Sequence, residues 1–195
     1  MLILAVVSVI STIALWIPVG MQKVYENFDG PYYIVIAKSW YDKVFIRNNF
    51  SFPLPLEYYP AHFPLYPALI NLLGGSFLAA VIINLVVSTL AALVIYKIFE
   101  EFKWGNPLMA GLVWLFAWPR MWVVRSIVSP ETLFILFVML ALYGFHKKSY
   151  WLAAIAGALA TLTKSPGILL FPAFVLASKL DKKIALFYLK DLVEK

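Results

Sequence analysis

The 195-residue chain is 63% hydrophobic and only 13% charged, about half the ~25% charged share of soluble domains, so a water-soluble globule of this size lacks the polar residues to cover its surface. With no cysteine and two histidines, a disulfide framework, a thiol nucleophile, a Cys-bound metal and a His-based metal cage are all excluded. The net charge of +6 is not gathered into a long basic run, so no nucleic-acid partner is expected; the lysines stand beside apolar segments, as topology signals and contacts to membrane lipids do.

In chain order, the first element is the apolar stretch Leu2 to Gly20, about 28 Å of helix and enough to span a bilayer. It has no basic leader and no small-residue cleavage site, which reads as a retained first span rather than a signal peptide. Ser76 to Ile98 is a second clear span. Four further apolar segments follow, 107–118, 130–145, 150–163 and 166–177, each below the ~20 residues of a full crossing. They are either tilted short spans that borrow flanking polar residues, or broken helices around a membrane cavity, where irregular backbone is tolerated. The expected fold is all-α: a polytopic membrane protein of about six transmembrane helices. A single module is expected, with a first span (1–20), an outer loop (21–75), a helical bundle (76–180) and a cytoplasmic tail (181–195).

With the N-terminus inside, Lys103, Lys147, Lys148, Lys179, Lys182, Lys183, Lys190 and Lys195 are cytoplasmic, in line with the positive-inside rule. The opposite side nevertheless carries Lys23, Lys38, Lys43, Arg47, Arg120, Arg125 and Lys164, including all three arginines of the chain. Cations that run against the topological trend call for another role. Snorkelling to lipid headgroups is one; binding an anion is another.

The outer loop holds the densest pattern. After Asp29-Gly30-Pro31, the residues Tyr33, Ile36, Ala37, Trp40 and Val44 share a helical face opposite Lys38, Ser39, Asp42 and Lys43, which predicts an amphipathic helix along the membrane interface. Asp29 just before it is either the helix cap or a functional carboxylate at the lip of a membrane cavity. From Phe52 to Pro67 the chain carries five prolines, predicting a rigid, extended path with Glu57, His62 and several aromatics along it; a short helix begins at Pro67. Those aromatics fit an interfacial belt as well as a binding loop.

At these residues the sequence resembles the GT-C superfamily of membrane glycosyltransferases, and within it the glycosylphosphatidylinositol mannosyltransferases, protein O-mannosyltransferases and lipid-A aminoarabinose transferases. Four patches carry the resemblance in order: FDGPYYIVIAKSWYD, YYPAHFPLYPALINLLG, SPETLFILFVMLALYGF and LATLTKSPGILLFPAF. Members of those families usually run to several hundred residues, so the chain resembles an N-terminal module or a minimal version, with a membrane subunit as a partner that supplies the rest.

The resemblance implies transfer of mannose or another hexose from a polyprenyl- or dolichyl-phosphate donor to a hydroxyl on a glycan, lipid or protein acceptor. The reaction would take place at the non-cytoplasmic face, of a prokaryotic plasma membrane or of the endoplasmic reticulum. Asp29 takes the role of catalytic carboxylate, receiving the acceptor's proton. Tyr32, Tyr33, Glu57, His62, Arg120, Arg125, Glu131 and Lys164 take substrate-binding roles. Arg120, Arg125 and Lys164 meet the leaving phosphate, His62 the phosphate or sugar, and Glu131 either caps its helix or holds an arginine. No obligatory cofactor is implied. Some relatives use a divalent cation, and Asp29 with Glu57 is a thin ligand set for one. Two other readings share the cavity and the cations: a flippase for a lipid-linked substrate, and a non-catalytic subunit of a glycosylation complex.

Overall fold

The computed structural model describes residues 1–51, 55–116 and 119–179, and every regular element within them is helical. The expected tail, 181–195, lies outside the described residues. In chain order the helices are α1 Leu2–Val19, α2 Met21–Glu26, α3 Gly30–Ser39, α4 Lys43–Asn49, the 3-10 turn Leu56–Ala61, and α5 Leu65–Leu72. Then come α6 Phe77–Phe102, α7 Pro107–Phe116, α8 Pro119–Val124, α9 Glu131–His146 and α10 Tyr150–Thr163. An apolar helix, α11, spans Ser165–Lys179.

Two of these, α1 and α6, are long and apolar enough to cross a membrane; α7, α9, α10 and α11 are apolar but shorter. Both long helices turn large apolar side chains outward. On α1 these are Val6, Ile10, Ile13 and Ile17, and on α6 Leu78, Ile82, Val86 and Leu90. That three- to four-residue spacing makes one continuous stripe per helix, an arrangement that water-soluble monomers rarely leave uncovered. The start of α6 is fixed by Ser76, whose Oγ accepts from the backbone N–H of Ala79 at 3.1 Å, and the helix runs past Ile98 to Phe102.

The helix α6 is the hub: α1, α7 and α9 pack on it, α10 packs on α9, and α11 begins against α10. At one end Lys147, just after α9, meets Glu101 of α6 at 2.6 Å. The start of α9 and the end of α10 lie together at the other end, where Lys164 reaches Glu131 at 2.7 Å.

Two expectations for the outer loop change. The helix α3 does not rest on a surface with one face: Tyr33, Ile34, Val35, Ile36 and Ala37 are all buried in the protein core, with Trp40 and Val44 exposed beyond its end. Apolar residues occupy both faces of α3, so the helix is packed against protein on two sides instead of presenting the single apolar face expected of it. The proline-rich stretch is likewise not extended throughout. It folds into the 3-10 turn, with Pro60 inside, and then α5, which starts at Leu65 with Pro67 in its first turn. The fixed φ of proline suits both, and the first turn of a helix has no use for the missing N–H.

Residues 125–130 form a loop that passes through the core, all of them buried. Buried backbone needs partners, and side chains of distant helices supply them. The Asn84 amide of α6 donates to the carbonyls of Ile127 and Ser129. Trp16 Nε1 of α1 donates to the Ser126 carbonyl at 2.6 Å. The Tyr66 hydroxyl accepts from the Ser129 N–H at 3.3 Å and donates to the Ala80 carbonyl at 3.1 Å.

Candidate functional site

Asp29 is placed by its neighbours. A Cβ at position 30 would lie 2.4 Å from the Tyr25 carbonyl oxygen and 3.2 Å from Val128 Cβ, so only glycine lets α3 begin against the buried loop. Phe28, on the other side, adopts φ 49, a left-handed conformation that bulky residues rarely take. Asp29 occupies the cap position of α3, yet its side chain makes no cap hydrogen bond. Only its backbone carbonyl serves the helix, accepting from the N–H of Tyr32 at 3.0 Å and of Tyr33 at 3.3 Å. Asp42 shows the contrast: its carboxylate caps α4 at 2.8 and 3.0 Å. The Asp29 carboxylate is therefore left for other chemistry, and half of it is exposed.

It opens onto a cavity of about 140 Å³ whose polar wall consists of Asp29, Tyr33, Arg120, Ser129, Glu131 and Lys164, with Phe28, Val124, Ile127, Val128 and Pro130 completing it. At ~30 Å³ per water, that is room for about five water molecules, or for one phosphate-sized group. One charge pair in the wall is closed: the Lys164 amine donates to Glu131 Oε1 at 2.7 Å, and the Ser129 hydroxyl donates to the other oxygen. Arg120, exposed at the end of the bundle, has no ion pair among the described residues. Tyr33 is held in its protonated, donating form, because burial first and then the Glu131 and Asp29 charges push its hydroxyl well above the ordinary range.

The remaining candidates lie elsewhere. His62 stands behind Asp29 rather than in the cavity wall, with Nε2 3.8 Å from Asp29 Oδ2. Tyr32 packs edge-on against Tyr58, Tyr59 and is tilted on His62, also outside the wall. Glu57 is exposed and bonded to Lys43 at 3.4 Å. Its carboxyl is held below the usual range by a backbone hydrogen bond and by Lys43. A cation bridging Asp29 and Glu57 is not assembled by this cavity, and no cluster of three metal-ligating side chains occurs among the described residues.

Arg125 departs furthest from expectation. It is fully buried and points into the bundle. Nε donates to the Leu115 carbonyl at 3.1 Å, Nη1 to Thr12 Oγ1 at 2.7 Å and Nη2 to Ser11 Oγ at 2.6 Å, while the guanidinium lies 5.8 Å from the Phe116 ring centre. It fastens α1 to the end of α7 and does not line the cavity. Glu131, for its part, holds Lys164 rather than an arginine. Ser129, Phe28 and Asn84 were not distinguished in the sequence; Ser129 stands two positions before Glu131 and Phe28 directly before Asp29, whereas nothing local marks Asn84 as the support of a loop more than forty residues away.

No protein-family model matches the chain, and neither a curated protein nor a solved structure matches it.

Proposed function

We propose that the chain is a polytopic membrane glycosyltransferase module of GT-C type, moving a hexose from a polyprenyl-phosphate donor to an acceptor hydroxyl at the non-cytoplasmic face. In this reading α1, α6, α7, α9, α10 and α11 are the six membrane elements, and the cavity end is the outer end. The observation that carries the proposal is the shared cavity: an uncapped, half-exposed carboxylate, Asp29, faces the same small space as the cations Arg120 and Lys164.

That pairing suits a displacement at the anomeric carbon. The acceptor oxygen forms its bond to C1 as its proton passes to the Asp29 carboxylate. The C1–O bond to phosphate breaks, and the electron pair leaves with the polyprenyl phosphate. Arg120, whose fork matches two phosphate oxygens, and Lys164 stabilise the charge that develops there. The protonated Tyr33 hydroxyl adds a neutral donor to the same wall.

The test is transfer of radiolabelled hexose from polyprenyl phosphate in reconstituted vesicles, offered sugar, glycolipid and peptide hydroxyls. Wild-type protein transfers label and Asp29→Asn loses about 10²- to 10⁴-fold in rate, the usual worth of a general base. Equal rates in both proteins would remove Asp29 from the chemistry, and movement of the lipid across the bilayer without transfer would favour a flippase.

A further inference from the structure

His62 is nearly inaccessible, at 4% exposure, and it is fixed from several directions. Its backbone N–H donates to the Tyr59 carbonyl at 3.0 Å, closing the 3-10 turn, and its own carbonyl accepts from the Tyr41 hydroxyl at 2.6 Å. The imidazole is enclosed by aromatic rings: Tyr33 edge-on at 5.0 Å, Tyr58 edge-on at 5.1 Å and Tyr32 tilted at 5.6 Å between centres. Inside this enclosure Nδ1 makes no hydrogen bond. A proton on the ring nitrogen that faces a carboxylate is favoured over a bare nitrogen there. Nε2 is the atom that faces Asp29 Oδ2, at 3.8 Å. The contact is longer than a direct hydrogen bond, short enough for charge attraction, and made by a carboxylate that makes no cap hydrogen bond of its own.

We propose that His62 is the positioning residue of Asp29. Its fixed Nε2–H edge aims the carboxylate at the mouth of the cavity, and protonation of the ring on acidification draws that carboxylate into an ion pair and away from the acceptor hydroxyl. The functional half of this statement rests on the transferase reading above; the coupling of the two side chains does not.

The groups that face His62 are few. From α3 they are Tyr32 and Tyr33, from the 3-10 turn Tyr58 and Tyr59, and from the cap of α3 Asp29. Burial lowers the imidazole's proton affinity, and this outweighs the Asp29 charge and the Tyr59 and Tyr58 backbone groups, which act in the opposite direction. The tyrosines stay neutral in this range, so Asp29 is the full charge acting on the ring among the described residues.

The chain has only two histidines, and His146 lies against Phe102 at 4.1 Å, at the opposite end of α9 from the cavity. A His146→Gln background therefore leaves a single imidazole for NMR in detergent micelles. The His62 resonance is expected to titrate with a midpoint below 6.5, and Asp29→Asn is expected to lower it further, by about half a pH unit or more, as the loss of a nearby opposite charge does. A midpoint that is the same with and without the Asp29 carboxylate, or a ring that titrates in neither protein, overturns the pairing. If the midpoint moves but no acceptor is ever glycosylated, the pair stands and the transferase reading fails. In an active preparation, His62→Gln retains an N–H donor but not the titration. It is expected to keep most of the rate at pH 7.5 and to abolish the fall in kcat below pH 6.5; a fall that persists in this variant overturns the proposed role.

Discussion

The Lys164 amine lies 2.7 Å from Glu131 Oε1, so one of the two cations in the cavity wall is already neutralised and Arg120 is the one with no carboxylate partner there. The two are not equivalent as phosphate ligands. Arg120→Gln should weaken binding of polyprenyl phosphate by about ten- to a hundredfold, the worth of a charge-assisted hydrogen-bond pair, whereas removing the closed pair together, Lys164→Gln with Glu131→Gln, should cost less because it leaves the net charge of the wall unchanged. Intrinsic tryptophan fluorescence titrated with polyprenyl phosphate in micelles measures both. Equal losses would mean that Lys164 leaves Glu131 when the ligand enters.

Arg125 is predicted to matter for stability and not for ligand affinity. Its guanidinium holds Ser11 and Thr12 of α1 and the Leu115 carbonyl of α7, with Thr12 and Leu115 fully buried and Ser11 half-buried. Arg125→Ala strands those acceptors and opens space, so a loss of about 3–5 kcal/mol is expected. Ser11→Ala and Thr12→Ala should each cost about 1 kcal/mol. Thermal unfolding in detergent reports the loss, while the polyprenyl-phosphate affinity of folded Arg125 variants should match wild type.

Arg120 and Arg125 illustrate what the sequence discloses and what it hides. Five positions apart in one segment with only apolar residues between them, they carry the same local signal, and the fold sends one to the cavity and the other into the bundle. The discriminating signal lay in α1, where Ser8, Ser11 and Thr12 fall on one face of an otherwise apolar helix; their purpose emerges only once that face meets Arg125. Helix positions were more legible. The element 150–163 and the start of the second span at Ser76 follow directly from the apolar runs. Asp29 was not decidable in this way. Asp29 and Asp42 both precede helices, and only the direction of each carboxylate separates the cap from the free group. His62 was expected at the substrate, but the 3-10 turn carries it behind Asp29 instead.

Gly30→Ala tests how tightly Asp29 is positioned. The added methyl would meet the Tyr25 carbonyl at 2.4 Å, and since that atom is backbone, the start of α3 must move. Overpacking of this kind costs about 1–3 kcal/mol, and a shift of about 1 Å at a catalytic group can cost a hundredfold in rate. The expected result is a folded protein with reduced transfer and nearly unchanged affinity for polyprenyl phosphate. An unchanged rate would show that Asp29 tolerates displacement.

His62 also sets an expectation for stability against pH. Burial depresses its proton affinity below the ordinary 6.5 of a free imidazole, so the unfolded chain takes up the proton first. The stability that the neutral ring contributes is complete above pH 6.5 and is lost as pH falls through the lower folded-state value. Wild-type melting temperature should drop on acidification through that window more steeply than that of His62→Gln. Parallel curves would mean that the ring is hydrated and titrates freely.

The sidedness of the bundle is open to a direct measurement, because the chain has no cysteine of its own. Asn48, in α4, and Ser149, in the turn between α9 and α10, are both exposed. The helix α9 leads from the cavity at Glu131 to His146, 16 residues or about 24 Å, so Ser149 sits at the end opposite the site. If the short helices cross the bilayer with the cavity outward, Asn48→Cys reacts with a membrane-impermeant maleimide on intact cells and Ser149→Cys reacts only after permeabilisation. Reaction of both from the same side would place the two ends of the bundle in one compartment, and with that the membrane-crossing role of α9 and α10 would be lost.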